Sequence, residues 1–271
     1  MEEKKDISIV IPVYNSENSL EELTKRIDKV MSNLQKSYQI VYVNDCSTDN
    51  SYETLKRIRA GNSNITIIDL FRNYGQPIAT MCGFNHCNSD YVVTMDDDLQ
   101  QDPEDIPILY NKILEGFDVV IGEYSSKKHS FIRNIGSYVI RGLIRWIFKL
   151  KDKNLKFTSY RIMRGVVIDH IKGESSIYPY ISGLLISATN RITNAVVCHN
   201  ERKYGTSSYK LSTLIALSYN LIVNYSSIPL KLVGYVGLVI SVFSLCFGSY
   251  FMIKKLLLGS IPAGLTTIIV L

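Results

Sequence analysis

The sequence predicts an α/β protein with a doubly wound, mostly parallel sheet, followed by an amphipathic interface helix and transmembrane helices. Three observations point there. Short β-branched and apolar runs alternate with helical patterns between Ile7 and Gly122, as expected for parallel strands joined by helical crossovers. One run, Tyr91 to Met95, ends abruptly in Asp96, Asp97 and Asp98. Three carboxylates then sit at the carboxyl end of a strand, where open sheets hold their ligands. Finally, Leu232 to Ile253 carries no charge and approaches the ~20 apolar residues that cross a bilayer.

Ile7 to Val13 reads as a buried first strand, closed by Pro12-Val13-Tyr14-Asn15. Ser19 and Glu22 have capping-box spacing and open a helix to about Lys36. Gln39 to Asn44 is the second strand, followed by the polar turn Asp45 to Asp49, and a helix to Ala60 is stopped by Gly61. Ile65 to Phe71 is the third strand, and a helix runs from Pro77 to Cys87. After the strand at Tyr91, Asp102 is the expected N-cap and Pro103 the first residue of a helix to Gly116. Asp118 to Gly122 is the fifth strand.

Beyond residue 130 the pattern changes. Phe131 to Lys149 is helical in period, with a basic stripe of Arg133, Arg141, Arg145 and Lys149. It fits an ordinary amphipathic helix or one touching a membrane surface. Ser159 to Arg164 reads as a strand, Tyr178 to Thr189 as a helix, Ala195 to His199 as a short strand, and Glu201 to Tyr209 as a polar loop. Leu211 to Val223 is apolar but short for a span. Lys254 and Lys255 close the span at Leu232 to Ile253, and a second apolar run from Leu256 is unfinished at Leu271. The expectation is a fragment of a longer chain, with a catalytic domain over 1–210, an interface helix over 211–227 and a transmembrane region over 228–271.

The N-terminus has a short apolar run and no small-residue cleavage site, so it reads as a strand and not as a signal peptide. Cys46, Cys82, Cys87, Cys198 and Cys246 form no CxxC pair and read as reduced, small buried hydrophobes. The net charge of +5 is unevenly spread: Lys127 to Arg164 holds eleven basic residues against the single acid Asp152. Such a bias suits phosphates or anionic lipid. Nucleic acid is disfavoured because no binding motif accompanies the charge. No GxGxxG or GxxxxGK[ST] follows the first strand, which leaves dinucleotide and P-loop binding unsupported. On an extended segment Asp96 and Asp98 point the same way while Asp97 turns aside. Hard oxygen ligands at this spacing suit Mg or Mn bound with substrate phosphates; the plain alternative is a solvated acidic turn.

Together these residues resemble the family 2 glycosyltransferases, in the branch of dolichyl-phosphate mannose synthase and bacterial polyprenyl-phosphate sugar transferases. The similarity rests on IVIPVYN (Ile9 to Asn15), VNDCSTDNS (Val43 to Ser51), LFRNYGQ (Leu70 to Gln76), MDDDLQQDPEDIP (Met95 to Pro107), SYRIMR (Ser159 to Arg164) and ERKYGTSSY (Glu201 to Tyr209). The resemblance implies a GT-A-like nucleotide-sugar-binding fold with a cytosolic catalytic face on a membrane. It implies that Pro12, Tyr14 and Asp45 hold the base and ribose of the donor, and that Asp96, Asp97, Asp98 and Gln100 surround a metal and diphosphate. Asp98 and Gln100 are the leading expected metal ligands, Asp96 is a third that also lies nearer the ribose, and Arg202 reaches the donor phosphates. Arg161 and Arg164 are expected beside Asp98 in the catalytic set, holding phosphorylated substrates. The implied partners are a nucleotide sugar (UDP- or GDP-linked), a polyprenyl-phosphate acceptor and a membrane, with homo-oligomerisation left open.

The chain departs from the family at three places. Ser159 stands where some members carry an Asp assigned as base, Ser16 where many carry Glu, and Ser208 where many carry a donor-binding Lys, a role for which Lys203 and Lys210 are candidates. If a lipid phosphate attacks as a pre-formed dianion, Ser159→Ala is expected to cost little. Two other readings remain: transfer to a hydroxyl of a lipid-linked or polysaccharide acceptor, and a non-catalytic membrane scaffold. The lack of a QxxRW stretch counts against a processive synthase. The intact acidic triplet with Gln100 counts against a scaffold, because clustered carboxylates are unfavourable without a purpose.

Overall fold

A computed structural model describes residues 4–124, 142, 147–148, 154–173, 179–198, 200 and 222–258. Two compact units emerge, Met1–Ile215 and Ala216–Leu271.

The first unit is built on a sheet of seven strands. These are β1 (Lys5–Val13), β2 (Tyr38–Asn44), β3 (Ile65–Asp69), β4 (Ser89–Thr94), β5 (Val119–Tyr124), β6 (Arg161–Arg164) and β7 (Ile192–Val197), in the spatial order β3-β2-β1-β4-β6-β5-β7. All described pairings are parallel except those of β6, which runs antiparallel to both β4 and β5. The sheet is therefore mostly parallel, as the strand–helix alternation predicts.

Helices cover both faces. Ile7, Ile9, Ile11 and Val13 of β1 join Leu20, Leu23, Ile27 and Met31 of α1 (Leu20–Leu34) and Ile106, Leu109 and Ile113 of α4 (Ile106–Leu114) in one core. α2 (Ser51–Ala60) adds Leu55 to this core. On the opposite face α3 (Gln76–Asn85) lies close over Val10 and Val43, where a Cβ on Gly83 would run into the Val10 side chain. A strand buried on both faces needs no alternation, which is why β1 reads as a continuous apolar run. α5 (Gly165–Ile171) and α6 (Ile181–Ala188) complete the described helices of this unit.

Two local expectations fail for one reason: a polar side chain is drawn away by a tertiary partner. Ser19 precedes α1 but makes no side-chain cap; its hydroxyl donates to the carbonyls of Ser16 and Asp97. Asp102 likewise makes no cap. Pro103–Asp105 form a single 3₁₀ turn, and the Asp102 carboxylate accepts from Arg26 of α1 and from Asn200.

The second unit contains α7 (Ile228–Leu258). Pro229–Leu257 within it is 29 residues long with mean hydropathy 2.1 and none of its apolar window buried. At about 1.5 Å per residue this helix is long enough to cross a hydrocarbon core of ~30 Å. It contains the predicted span and extends past it to include Lys231, Lys254 and Lys255. The helix expected at 131–149 (except 142 and 147–148), the loop 201–209 and the apolar run 259–271 lie outside the described residues, as does 211–221 of the predicted interface helix.

Candidate active site

The loops that follow β1, β2, β3 and β4 gather at one edge of the sheet. Three of them turn through a non-glycine residue in the left-handed region: Asn15 (φ 54), Cys46 (φ 57) and Leu99 (φ 61). Such a conformation costs roughly 1–3 kcal/mol. At Leu99 that cost is offset, because its side chain is buried in the core and full burial of a leucine contributes about 1.5–3 kcal/mol. With Leu99 turned inward, Asp98 and Gln100 on either side stay half-exposed at the sheet edge.

The three carboxylates have different surroundings. Asp96 is held by neutral donors. Gln76 Nε2 donates to Oδ1 at 2.6 Å, while Ser159 Oγ at 2.6 Å and Gln101 Nε2 at 2.8 Å donate to Oδ2. The Gln101 side-chain oxygen Oε1 also accepts the Asp96 backbone N–H at 2.9 Å, so the Gln101 side chain grips Asp96 twice. Burial pushes the Asp96 carboxyl above its ordinary range, against the pull of Ser159. Asp97 does turn aside: its Oδ2 accepts the Tyr14 N–H at 3.1 Å, and its carbonyl accepts Ser19. Burial raises Asp97 to about 7 despite hydrogen bonds from Ser16 and the Tyr14 backbone. Asp98 Oδ1 accepts the Gln100 N–H at 3.1 Å.

For a divalent ion the donor chemistry fits. Asp98 and Gln100 supply hard oxygens half-exposed at the edge, whereas Asp96 already has three hydrogen-bond donors on its two oxygens and is suited to orienting. Asp102, Asp105 and Cys198 also lie close enough together to share an ion. Their polar atoms are committed otherwise: Asp102 to Arg26 and Asn200, and Asp105 to the Cys198 N–H at 2.6 Å. With the Asn200 N–H on the Gln100 carbonyl at 3.0 Å, these contacts clasp the end of β7 to the acidic loop.

On the β1–β3 side, Asp45 is buried and its two oxygens accept the N–H groups of Tyr74 (2.7 Å) and Gly75 (2.8 Å) at the start of α3. The carboxylate thus fixes the loop that delivers Gln76 to Asp96. Pro12 is buried within β1, and Tyr14 is exposed at its end. Arg72 stacks on the Tyr74 ring at 4.6 Å, and Phe71 beside it is wholly exposed.

The two arginines of β6 part company. Arg161 is opposite Thr94, two residues before the triplet, and buried to 6% exposure. Its Nε approaches the Ser159 carbonyl at 3.4 Å and its Nη1 the Ser182 hydroxyl at 3.3 Å. Burial lowers its pKa to about 10. Arg164 is opposite Tyr91, toward the start of β4, and its Nε is 3.9 Å from Asp118. The structure does not bring Arg164 to the acidic triplet. Spacing on a strand carried that signal, since residues three apart face opposite sides, and the antiparallel direction of β6 then leads Arg164 away from the edge. Arg202, Lys203, Ser208 and Lys210 lie outside the described residues. Sequence reading missed Gln76, Gln101 and Ser182, neutral residues brought in by tertiary structure. It also took every cysteine as buried. Cys87 is, but Cys198 and Cys246 are exposed.

A mostly parallel, helix-covered sheet with carboxylates at its loop-bearing edge defines an α/β protein whose candidate site lies where such sheets hold their ligands. The chain belongs to glycosyl transferase family 2, whose profile matches residues 8–168. It is 35% identical over 256 residues to the undecaprenyl-phosphate 4-deoxy-4-formamido-L-arabinose transferase of Edwardsiella ictaluri, covering 93% of this chain and 78% of that protein. It is 34% identical over 258 residues to the transferase of the same name from Klebsiella pneumoniae, covering 94% and 78%. Among solved structures, glucosyl-3-phosphoglycerate synthase from Mycobacterium tuberculosis, in complex with Mn²⁺, UDP and phosphoglyceric acid, superposes with a TM-score of 0.55 at 19% identity, covering 80% of this chain and 76% of that one. S. aureus TarS 1-349 gives 0.50 at 18% identity, covering 81% and 66%. At such identities these two likenesses concern the fold.

Proposed function

We propose that this glycosyltransferase moves a single sugar from a UDP- or GDP-linked donor to a polyprenyl phosphate, with inversion, at the cytosolic face of a membrane. The observation that carries the reading is the 35% identity, across 93% of the chain, to a transferase named for undecaprenyl phosphate. The site chemistry supports it. The acceptor's second pKa is near 6, so it arrives as a dianion and attacks the anomeric carbon without a protein base. Ser159, at the position where some relatives have an Asp, offers none: its proton is donated to Asp96.

In this reading the β1–β3 loops hold the base and ribose, with Tyr14 and the loop fixed by Asp45 on the donor side. Asp96 is oriented toward the ribose, and Asp97 ties Tyr14 to the acidic loop. Mg or Mn, held by Asp98 and Gln100, would neutralise charge on the departing diphosphate. Arg161 adds positive potential beside Asp96, strengthened by its burial, and Arg202 is assigned to the donor phosphates. The long apolar helix keeps the enzyme where its lipid acceptor resides.

Asp98→Asn preserves shape and removes one charge. Turnover with a nucleotide sugar and polyprenyl phosphate should fall by about 100-fold or more, since a catalytic metal supplies several kcal/mol. Nucleotide binding should lose its metal dependence while the melting temperature holds. Full turnover of the wild-type protein in excess chelator would contradict the assignment.

A further inference from the structure

We infer that Ser159 is a positioning residue whose hydroxyl orients the Asp96 carboxylate, and that this position supplies no base for the reaction. The inference deepens the proposed function and rests on it for the identity of the substrates.

The hydrogen-bond inventory around Ser159 is specific. Its single hydroxyl proton is given to Asp96 Oδ2 at 2.6 Å, and its oxygen accepts Gln101 Nε2 at 2.8 Å. Gln101 Nε2 reaches Asp96 Oδ2 as well, at 2.8 Å, so Ser159, Gln101 and Asp96 form a closed triangle. The backbone at 159 is itself fixed, because its carbonyl accepts the Thr94 hydroxyl at 2.6 Å. Gln101, with 2% of its surface exposed, is held rigidly enough to act as the frame. Gln76 completes the set from the other side, on Oδ1.

The members arrive on three different elements: Asp96 and Gln101 from the loop after β4, Gln76 from the first turn of α3, Ser159 from the approach to β6. Hydrogen bonds from three neutral side chains hold the Asp96 carboxylate in a single orientation. The antiparallel insertion of β6 between β4 and β5 makes this possible, since it sets Ser159 beside the end of β4. A carboxylate in place of Ser159 would meet Asp96 at hydrogen-bonding distance, and like charges so close are unfavourable. The serine is therefore matched to Asp96.

The test compares Ser159→Ala, Ser159→Thr and Ser159→Asp with the wild type in three readouts: melting temperature, binding of UDP and GDP with and without MnCl₂, and kcat and KM for transfer to a polyprenyl phosphate. Losing one hydrogen bond to a charged group predicts about a 10- to 100-fold fall in kcat/KM for Ser159→Ala, together with a lower melting temperature from the same lost bond. Manganese-dependent nucleotide binding should weaken in parallel. Ser159→Thr, which keeps the hydroxyl, should recover most of both, and Ser159→Asp should gain activity with neither a phosphate nor a hydroxyl acceptor. Wild-type kinetics and binding in Ser159→Ala, or a gain of transfer to a polyprenol in Ser159→Asp, would overturn the inference. If the wild type transfers nothing to polyprenyl phosphate, the proposed function fails, and the binding measurements still decide the role of Ser159.

Discussion

At the scale of single residues, the site is decided by which polar groups are already engaged. Asp96, Asp97 and Asp98 are adjacent and chemically identical, yet they have three different sets of partners. The triplet is legible in the sequence because a β-branched run that stops in three acids concentrates charge where a parallel sheet opens to its ligands. Gln101 is not legible there, since a neutral residue next to Gln100 has no distinguishing pattern until the fold returns it to Asp96. The same limit applies to Ser159, which its sequence position presents as a missing base and its contacts present as a donor. The hydroxyl bonded at 2.6 Å to the Asp96 carboxylate is the reason to expect a larger cost of Ser159→Ala than its sequence position suggests. Arg161 and Arg164 give a direct contrast. Arg161→Ala removes a guanidinium on the residue opposite Thr94, whose charge acts on Asp96, and should lower kcat by about 10-fold or more. Arg164→Ala, beside Asp118, should leave kcat within about 3-fold and show its effect in thermal melting. Equal losses of kcat would mean that the two residues share a role.

At the scale of elements, β6 and β7 show how the latter half of the sheet is pinned. Asp118, at the start of β5, is buried and accepts a two-pronged contact from Arg191 just before β7, with Nε to Oδ2 at 3.0 Å and Nη2 to Oδ1 at 2.8 Å. Burial alone raises the Asp118 pKa, but Arg191 and Thr189 together outweigh it and the net shift is downward. A carboxyl with a lower pKa in the folded state stabilises the fold above its unfolded pKa and loses that contribution as pH falls through the folded value. Because the Arg191 side chain is itself exposed and screened by solvent, Arg191→Ala should destabilise by about 0.5–1 kcal/mol at neutral pH. The deficit relative to wild type should shrink as pH falls below the ordinary carboxyl pKa of about 3.9 and on through the lowered value of the folded wild type. Denaturant melts at pH 7 and pH 3 measure this, and an equal deficit at both would contradict it. The strands themselves are legible in the sequence to within a few residues, because buried parallel strands are apolar throughout. The helix starts at Ser19 and Asp102 are not, because capping propensity is a local preference and both side chains find better partners at a distance.

At the scale of the whole molecule, a glycosyltransferase unit and a helix able to cross a membrane share one chain. That pairing suits a donor dissolved in water and an acceptor dissolved in lipid. It also bears on Ser159, which donates its proton to Asp96 and stands where some relatives carry an Asp. A lipid phosphate brings its own negative charge, whereas a lipid alcohol would need a proton removed, a step for which a positioned base typically contributes ~10²–10⁴-fold. The most direct test of this account is therefore a comparison of acceptors. Purified protein is given the same nucleotide-sugar donors and Mn or Mg, with a polyprenyl phosphate in one assay and the matching polyprenol in the other. The account predicts glycosylation of the phosphate, rising with pH as its second proton is lost near pH 6 and then levelling off, with little product from the alcohol. Glycosylation of the polyprenol and not of the phosphate would contradict it and give the hydroxyl-acceptor reading its place.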